Sequence, residues 1–130
     1  MEQFKVYDGL PFDSNFAVAV SFDGTLTKDY DDLTPNFKAI EVIKKLWNKG
    51  CVIVLWTCRQ GGRLKDAVDF CERYDVPLDY VNTYPYRGGV KKINVDCFID
   101  SLNIGGVDWD RVEDQVEEMR QKRYYTLLKR

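Results

Sequence analysis

Two strand-length runs of uninterrupted apolar residues constrain this chain more than any other feature. Phe16-Ala17-Val18-Ala19-Val20 breaks directly into Ser21-Phe22-Asp23-Gly24-Thr25, and Cys51-Val52-Ile53-Val54-Leu55-Trp56 breaks directly into Thr57-Cys58-Arg59. A strand with one face in water alternates apolar and polar residues. An unbroken run needs cover on both faces, as in the interior of a parallel sheet.

Helical patterns separate the strand candidates. Thr34-Pro35 reads as a helix start, with Thr at the N-cap and Pro in the first turn. Phe37, Ile40, Ile43 and Trp47 follow at helical spacing, and Gly50 ends the run. Gly61-Gly62 leads into a second helix with Leu64, Ala67, Val68 and Cys71 on one face, stopped by Pro77. Residues 78–81 form a short third strand, residues 82–89 a polar, aromatic and glycine-bearing loop, and residues 95–99 a fourth strand ending in Asp100-Ser101. Asp110 and Glu113 form a capping box for a last helix with Val112, Val116 and Met119 inward. Strands alternating with helices predict an α/β fold: a three-layer, Rossmann-like parallel sheet with helices on both faces. Residues 16–130 read as a single domain, preceded by an extension of residues 1–15.

Composition narrows the function classes. The 130 residues carry a formal net charge of −2, so no global field draws the chain to nucleic acid or to a membrane surface. No apolar run approaches the roughly 20 residues that span a bilayer. The first residues lack a basic region followed by a long apolar stretch, so a cytoplasmic protein without a secretory leader is expected. The four cysteines form no C-x-x-C pair and there is no histidine, which argues against zinc and against a Cys–His nucleophile. Cys51, Cys71 and Cys97 read as core residues, while Cys58, just beyond a strand, is a candidate for exposure.

In open parallel sheets, ligands bind beyond the carboxyl ends of the strands. That rule selects Ser21 to Thr25, Thr57 to Arg59, Asn82 to Tyr86 and Asp96 to Ser101, where polar residues crowd after apolar runs. Asp23, Asp96 and Asp100 could converge on one hard cation such as Mg²⁺, which takes oxygen ligands and often keeps phosphate in its shell. Gly24 permits a sharp turn beside a ligand. Thr57 and Lys92 could hold phosphate oxygens by hydroxyl donation and by charge. Asp96 could instead be a structural carboxylate bonded to backbone amides, and Arg59 either an ordinary surface cation or a contact to an anionic ligand. Tyr84, Tyr86 and Arg87 read as loop packing, with nucleobase stacking as the functional alternative. The basic segment 120–130 reads as a solvated helix end, with oligomer contact the next reading.

The order of these motifs resembles the haloacid dehalogenase-like (HAD) superfamily. FAVAVSFDGTLT (16–27) is similar to its first motif, an apolar strand followed by D-x-D-G-T. VIVLWTCR (52–59) is similar to the second, and Lys91-Lys92 with DCFID (96–100) to the third and fourth. LWTCR, Tyr80-Val81-Asn82 and FIDSLNIGG (98–106) look like a compact bacterial subfamily of hydrolases with minimal or no cap. The resemblance covers residues 16–107. It implies Mg²⁺-dependent phosphoryl transfer, with an aspartate nucleophile and a second aspartate as general acid and base. Carried over by position, Asp23 matches the acid/base, Thr57 the phosphate-binding hydroxyl, Lys92 (or Lys91) the lysine, and Asp100, with Asp96 near it, the metal-binding acids. Gly24, Thr25, Cys58 and Arg59 join the ligand-binding positions.

Two departures change what the resemblance implies. Ser21 stands where the nucleophilic aspartate belongs, and Ser101 follows Asp100 where a second acid is usual. A serine hydroxyl is neutral near pH 7, no histidine can deprotonate it, and Mg²⁺ affinity should fall with the lost carboxylate. Fewer negative charges also mean less repulsion of an anionic ligand. The expectation is therefore a degenerate phosphatase site that binds a phosphorylated small molecule, a nucleotide among the candidates, with little or no turnover. The alternatives are a Mg²⁺-dependent phosphatase whose nucleophile is mutated in this chain, and a protein-interaction module on the same scaffold. With so little sequence for a cap, the site is open to a large ligand or to closure by a second subunit of a homo-oligomer.

Overall fold

The computed structural model describes residues 15–85 and 93–128. Its elements run β1 (Ala17–Ser21), α1 (Phe37–Asn48), β2 (Val52–Trp56), α2 (Gly61–Arg73), β3 (Tyr80–Val81), β4 (Cys97–Ile99) and α3 (Trp109–Leu128). The four strands form one parallel sheet in the order β3-β2-β1-β4. The α/β class and the Rossmann-like arrangement are those expected from the alternation of strands and helices. The third and fourth strands are shorter than the sequence predicts, starting at Tyr80 and Cys97.

β1 is central. Ala17 to Val20 are fully buried, with Val52 to Leu55 beside them in register on β2. Alternation sends Val18, Val20, Ile53, Leu55 and Ile99 into one core cluster, and Ala17, Ala19, Val52 and Val54 into a second. The first cluster takes the buried faces of all three helices: Ile40, Ile43 and Leu46 of α1, Ala67, Phe70 and Cys71 of α2, and Val112 and Val116 of α3. Truncating a buried residue such as Leu55 to Ala costs about 2–5 kcal/mol.

Topology explains this sidedness. The steps β1→β2→β3 move across the sheet in one direction, so right-handed crossovers place α1 and α2 on one face. Described residues on either side of the β3–β4 connection lie on the opposite face. There Tyr84, Ile93 and Val95 pack on the second cluster with Trp56, Tyr80 and Phe98. Among the described residues, α1, α2 and α3 all contribute to the first cluster, and Tyr84, Ile93 and Val95 pack on the second.

Local signals fail in three places where longer-range contacts prevail. The N-cap of α1 is Asn36, whose side chain accepts from Ala39 N at 3.2 Å, and not Thr34. Pro35 pairs with Thr27 in an isolated antiparallel bridge, and Thr34 bonds to Asp32 instead. The first turn of α3 is organised by Asp108, whose carboxylate accepts from Asp110 N, so Asp110 is not the cap. Glu113 pairs with Lys49 of the α1 C-terminus. Phe37 and Met119, expected inward, are exposed. Phe37 instead meets Tyr74 edge to face at the end of α2. Among the described residues, no helix is long and apolar enough to cross a membrane.

Candidate functional site

The carboxyl end of β1 turns sharply. Phe22 O accepts from the N–H groups of Thr25, Leu26 and Thr27 at 3.0–3.2 Å. Gly24 sits at φ +74°, a conformation L side chains rarely adopt. A Cβ there would lie 3.2 Å from both Ser101 Oγ and the Tyr30 ring. The fully buried Thr27 hydroxyl locks the turn: it accepts from Gly24 N at 3.0 Å and donates to Asp29 O at 2.9 Å.

Because β4 lies directly beside β1, the turn after β4 delivers Ser101 to the same place. The result is a cluster of three hydroxyls. Ser21 Oγ donates to Thr25 Oγ1 at 2.5 Å, and Thr25 Oγ1 donates to Ser101 Oγ at 3.1 Å. Ser101 N also donates to Thr25 Oγ1, at 3.0 Å. The Thr25 hydroxyl, 1% exposed, thus accepts two hydrogen bonds and donates one, and is saturated. Ser21 and Ser101, at the two ends of the chain of hydroxyls, face outward from it and are half-buried.

Asp23 lies on the other side of the turn and is held by Arg59. The guanidinium grips it with both arms, Nε to Oδ2 at 2.8 Å and Nη2 to Oδ1 at 2.7 Å. Arg59 is buried, its Cζ 5.0 Å from the Phe22 ring centroid, and its Nη1 donates to Arg63 O at 3.3 Å. Hydrogen bonding to Arg59 holds the Asp23 carboxyl below its usual range against the opposing effect of burial, and the charge of Arg59 and the Asp31 N–H add to it. The same hydrogen bond raises the pKa of Arg59. Arg63 and Asp31 form an exposed ion pair alongside. Arg59 is thus neither a surface cation nor open to an incoming anion at rest.

At the end of β2, Thr57 Oγ1 accepts from Arg59 N at 3.1 Å, which shapes the loop and leaves the hydroxyl proton for another acceptor. Thr57 N is held by Asn82 Oδ1 at 2.8 Å. Asn82 ends β3 at φ +55° and its own N–H donates to Leu55 O, tying the ends of β2 and β3 together. Cys58 is exposed on this loop.

The three carboxylates proposed from sequence to share a cation do not meet. β4 runs parallel to β1 with Cys97 opposite Val18, which puts Asp96 at the amino end of the sheet. There Asp96 Oδ2 accepts from Ala17 N at 2.6 Å, and Oδ1 pairs with Arg123 Nε at 3.0 Å. Four extended residues separate it from Asp100 by about 13 Å. Its assignment to a metal is corrected: it is a structural carboxylate bonded to a backbone amide. Asp100 is at the correct end, where its Oδ1 accepts from Leu102 N at 3.0 Å. Asp23 is committed to Arg59. Among the described residues, no group of three or more His, Cys, Asp or Glu side chains could hold a metal ion. The residues present therefore do not fit Mg²⁺. Lys92 and its alternative Lys91 lie outside the described residues, as do Tyr86 and Arg87. Tyr84 is buried and packs edge-on against Tyr80, as expected for loop packing.

The structure therefore brings together Ser21, Asp23, Gly24, Thr25, Thr57, Cys58, Arg59 and Asp100 at one sheet end, and leaves Asp96 at the other. Sequence reasoning missed the structural roles of Thr27 and Asn82 and treated Ser101 only as a missing acid.

No family model matches the chain, and no curated protein does. Among solved structures, the chain is similar to a conserved protein from Bacteroides thetaiotaomicron, at 29% identity and a TM-score of 0.71, over 80% of this chain and 91% of that one. A structure from Vibrio cholerae aligns over 82% of this chain and 98% of its own at 18% identity, with a TM-score of 0.49. The first likeness supports the α/β fold, and neither description states an activity.

Proposed function

We propose that the carboxyl end of this sheet binds a phosphorylated small molecule, with nucleotides among the candidates, and turns it over slowly or not at all, on a HAD-like scaffold. The observation that carries this reading is the hydroxyl chain Ser21–Thr25–Ser101 beside the Asp23–Arg59 pair. Hydrolysis by attack on phosphorus needs a nucleophile and a proton source. The hydroxyl at position 21 already spends its proton on Thr25, and the chain has no histidine to remove it. A general acid must carry a proton at working pH, and Arg59 keeps Asp23 ionised.

Binding is a different matter. Hydroxyls at 21 and 101 bring no negative charge against an oxyanion, and the Ser101 and Thr57 hydroxyls retain protons to donate among the described residues. Their place beyond the carboxyl ends of adjacent parallel strands is the usual position for ligands in such sheets.

Calorimetry of the full chain against a panel of nucleotides and sugar phosphates, with the unphosphorylated nucleosides as controls, tests the reading. One or more phosphorylated compounds should bind with a dissociation constant of about micromolar, near −8 kcal/mol, and release no phosphate over hours with Mg²⁺. Ser21→Asp should remain inactive, because Asp23 stays paired. A panel without a binder, or steady hydrolysis by the parent chain, overturns the proposal.

A further inference from the structure

Arg59 places a permanent positive charge at the sheet end where the sequence pattern leads one to expect a metal ion. Arg59 is 7% exposed, its guanidinium stacked over Phe22 and locked to both oxygens of Asp23. We infer that Arg59 substitutes for a divalent cation as the partner of Asp23, so that the site takes no Mg²⁺ and an oxyanion is met there by the Ser101 and Thr57 hydroxyls. The ligand half of this inference rests on the phosphate-binding reading above; the metal half does not.

The donor set argues for it. Mg²⁺ demands near-octahedral oxygen coordination, gives up its water reluctantly, and is usually anchored by one or two carboxylates. The fork of Arg59 takes one lone pair on each Asp23 oxygen and Oδ1 also receives Asp31 N at 3.3 Å, which leaves a single lone pair, on Oδ2, for any other partner. A cation reaching Asp23 would also lie within a few ångströms of the guanidinium and be repelled by it. The hydroxyls of Ser21, Thr25 and Ser101 are neutral and bonded to one another. Asp96 is bound at the far end of β1. That leaves Asp100, one carboxylate already accepting from Leu102 N.

Arginine suits the replacement. It stays charged at any accessible pH and its planar fork matches the Asp23 carboxylate with two parallel hydrogen bonds. Because it is set from the β2 loop and buried against Phe22, it needs no ion from solution.

The first measurement is a titration of Mg²⁺, Mn²⁺ and Ca²⁺ alone into the full chain, followed by calorimetry and by thermal melting. No saturable binding is expected below about 1 mM, the weak end of protein sites for such ions. Tighter saturable binding that Asp23→Asn abolishes overturns the inference. In Arg59→Gln, with folding checked by circular dichroism, the released Asp23 should raise divalent affinity at least tenfold; a folded variant with unchanged affinity also overturns it. If that variant does not fold, the titration of the parent chain decides alone. In the second measurement, inorganic phosphate is the probe, in EDTA and in Mg²⁺. Equal affinity within twofold is expected. Phosphate binding that requires Mg²⁺ overturns the inference while sparing the ligand assignment. Phosphate that binds in neither buffer counts against the ligand assignment, and the metal titration still decides the rest.

Discussion

Asp79 and Asp96 occupy matching positions on opposite sides of the β1–β2 pair. Each stands immediately before an edge strand and accepts from an amide of the neighbouring inner strand: Asp79 from Ile53 N at 2.8 Å, Asp96 from Ala17 N at 2.6 Å. Each also returns its own N–H to the same residue's carbonyl, Asp79 to Ile53 O and Asp96 to Ala17 O, both at 2.8 Å. Trp47 Nε1 donates to Oδ1 of Asp79, and Arg123 Nε pairs with Oδ1 of Asp96. The two carboxylates fix the register of both edge strands from the amino end, away from the candidate site.

Removing Asp96 should therefore cost stability and not ligand affinity. Asp96→Ala leaves Ala17 N without this acceptor and removes the carboxylate paired with Arg123 Nε, while Arg123 Nη1 keeps its bond to Asn15 O. A loss of about 2–4 kcal/mol is expected, read as a lower urea midpoint with an unchanged slope. A metal or phosphate ligand at this position would show the opposite pattern, with weaker ligand binding at near-parental stability.

Acid should loosen the site through Asp23. Its carboxyl is held below the usual range by Arg59, so the folded state binds that proton less readily than the unfolded chain does. The stabilisation is complete above the unfolded value of about 3.9 and is lost as pH falls through the lower folded value. Urea midpoints measured from about pH 6 down to about pH 2 should drop more steeply for the parent than for Asp23→Asn, which lacks the titrating group. At neutral pH, Arg59→Met should destabilise the chain by about 3 kcal/mol, because it leaves a mostly buried carboxylate unpaired.

Gly24→Ala should strain the turn. The residue must hold φ +74°, and the new methyl would press against Ser101 Oγ and Tyr30 at 3.2 Å. The left-handed conformation alone costs about 1–2 kcal/mol. Thermal denaturation should show the loss, and phosphate-ligand affinity should fall with it, since Ser101 must move for the methyl to fit.

Thiol labelling offers a direct reading of the β2 loop. Cys58 is exposed, Cys51 and Cys71 are buried, and burial pushes the thiols of Cys71 and Cys97 up to about 12. A thiolate is the reactive form. One fast-reacting thiol per native chain is expected with a disulfide reagent near pH 8, mapped to Cys58 by peptide mass, and four after unfolding. A ligand bound beside Thr57 and Arg59 should slow the fast phase.

The sequence made β1 and β2 legible because unbroken apolar runs of strand length have only one comfortable location, the middle of a parallel sheet. It also located the functional end of the sheet, since polar residues following those runs must emerge at the strands' carboxyl ends. The pairing of Asp23 with Arg59 was not legible, because 36 residues separate them and nothing local in either motif points to the other. Asp96 misled for the opposite reason. Its closeness in sequence to Asp100 suggested a shared site, but along a strand four residues are a long way and lead from one end of the sheet to the other. The start of α1 misled likewise: Thr34-Pro35 is a sound local signal, overridden by the bridge of Pro35 to Thr27 across the acidic loop.

The strand order also dictates when a growing chain can complete its sheet. β1 is made first of the strands, yet one of its two neighbours, β4, is made last, with Asp96 lying 79 positions after its partner Ala17. Until Cys97–Ile99 leaves the ribosome, β1, buried along Ala17–Val20 in the finished fold, keeps one bare edge, a template for association with other nascent chains. Messages broken before that codon would thus yield sticky fragments, and slow decoding between β3 and β4 would lengthen the hazardous interval.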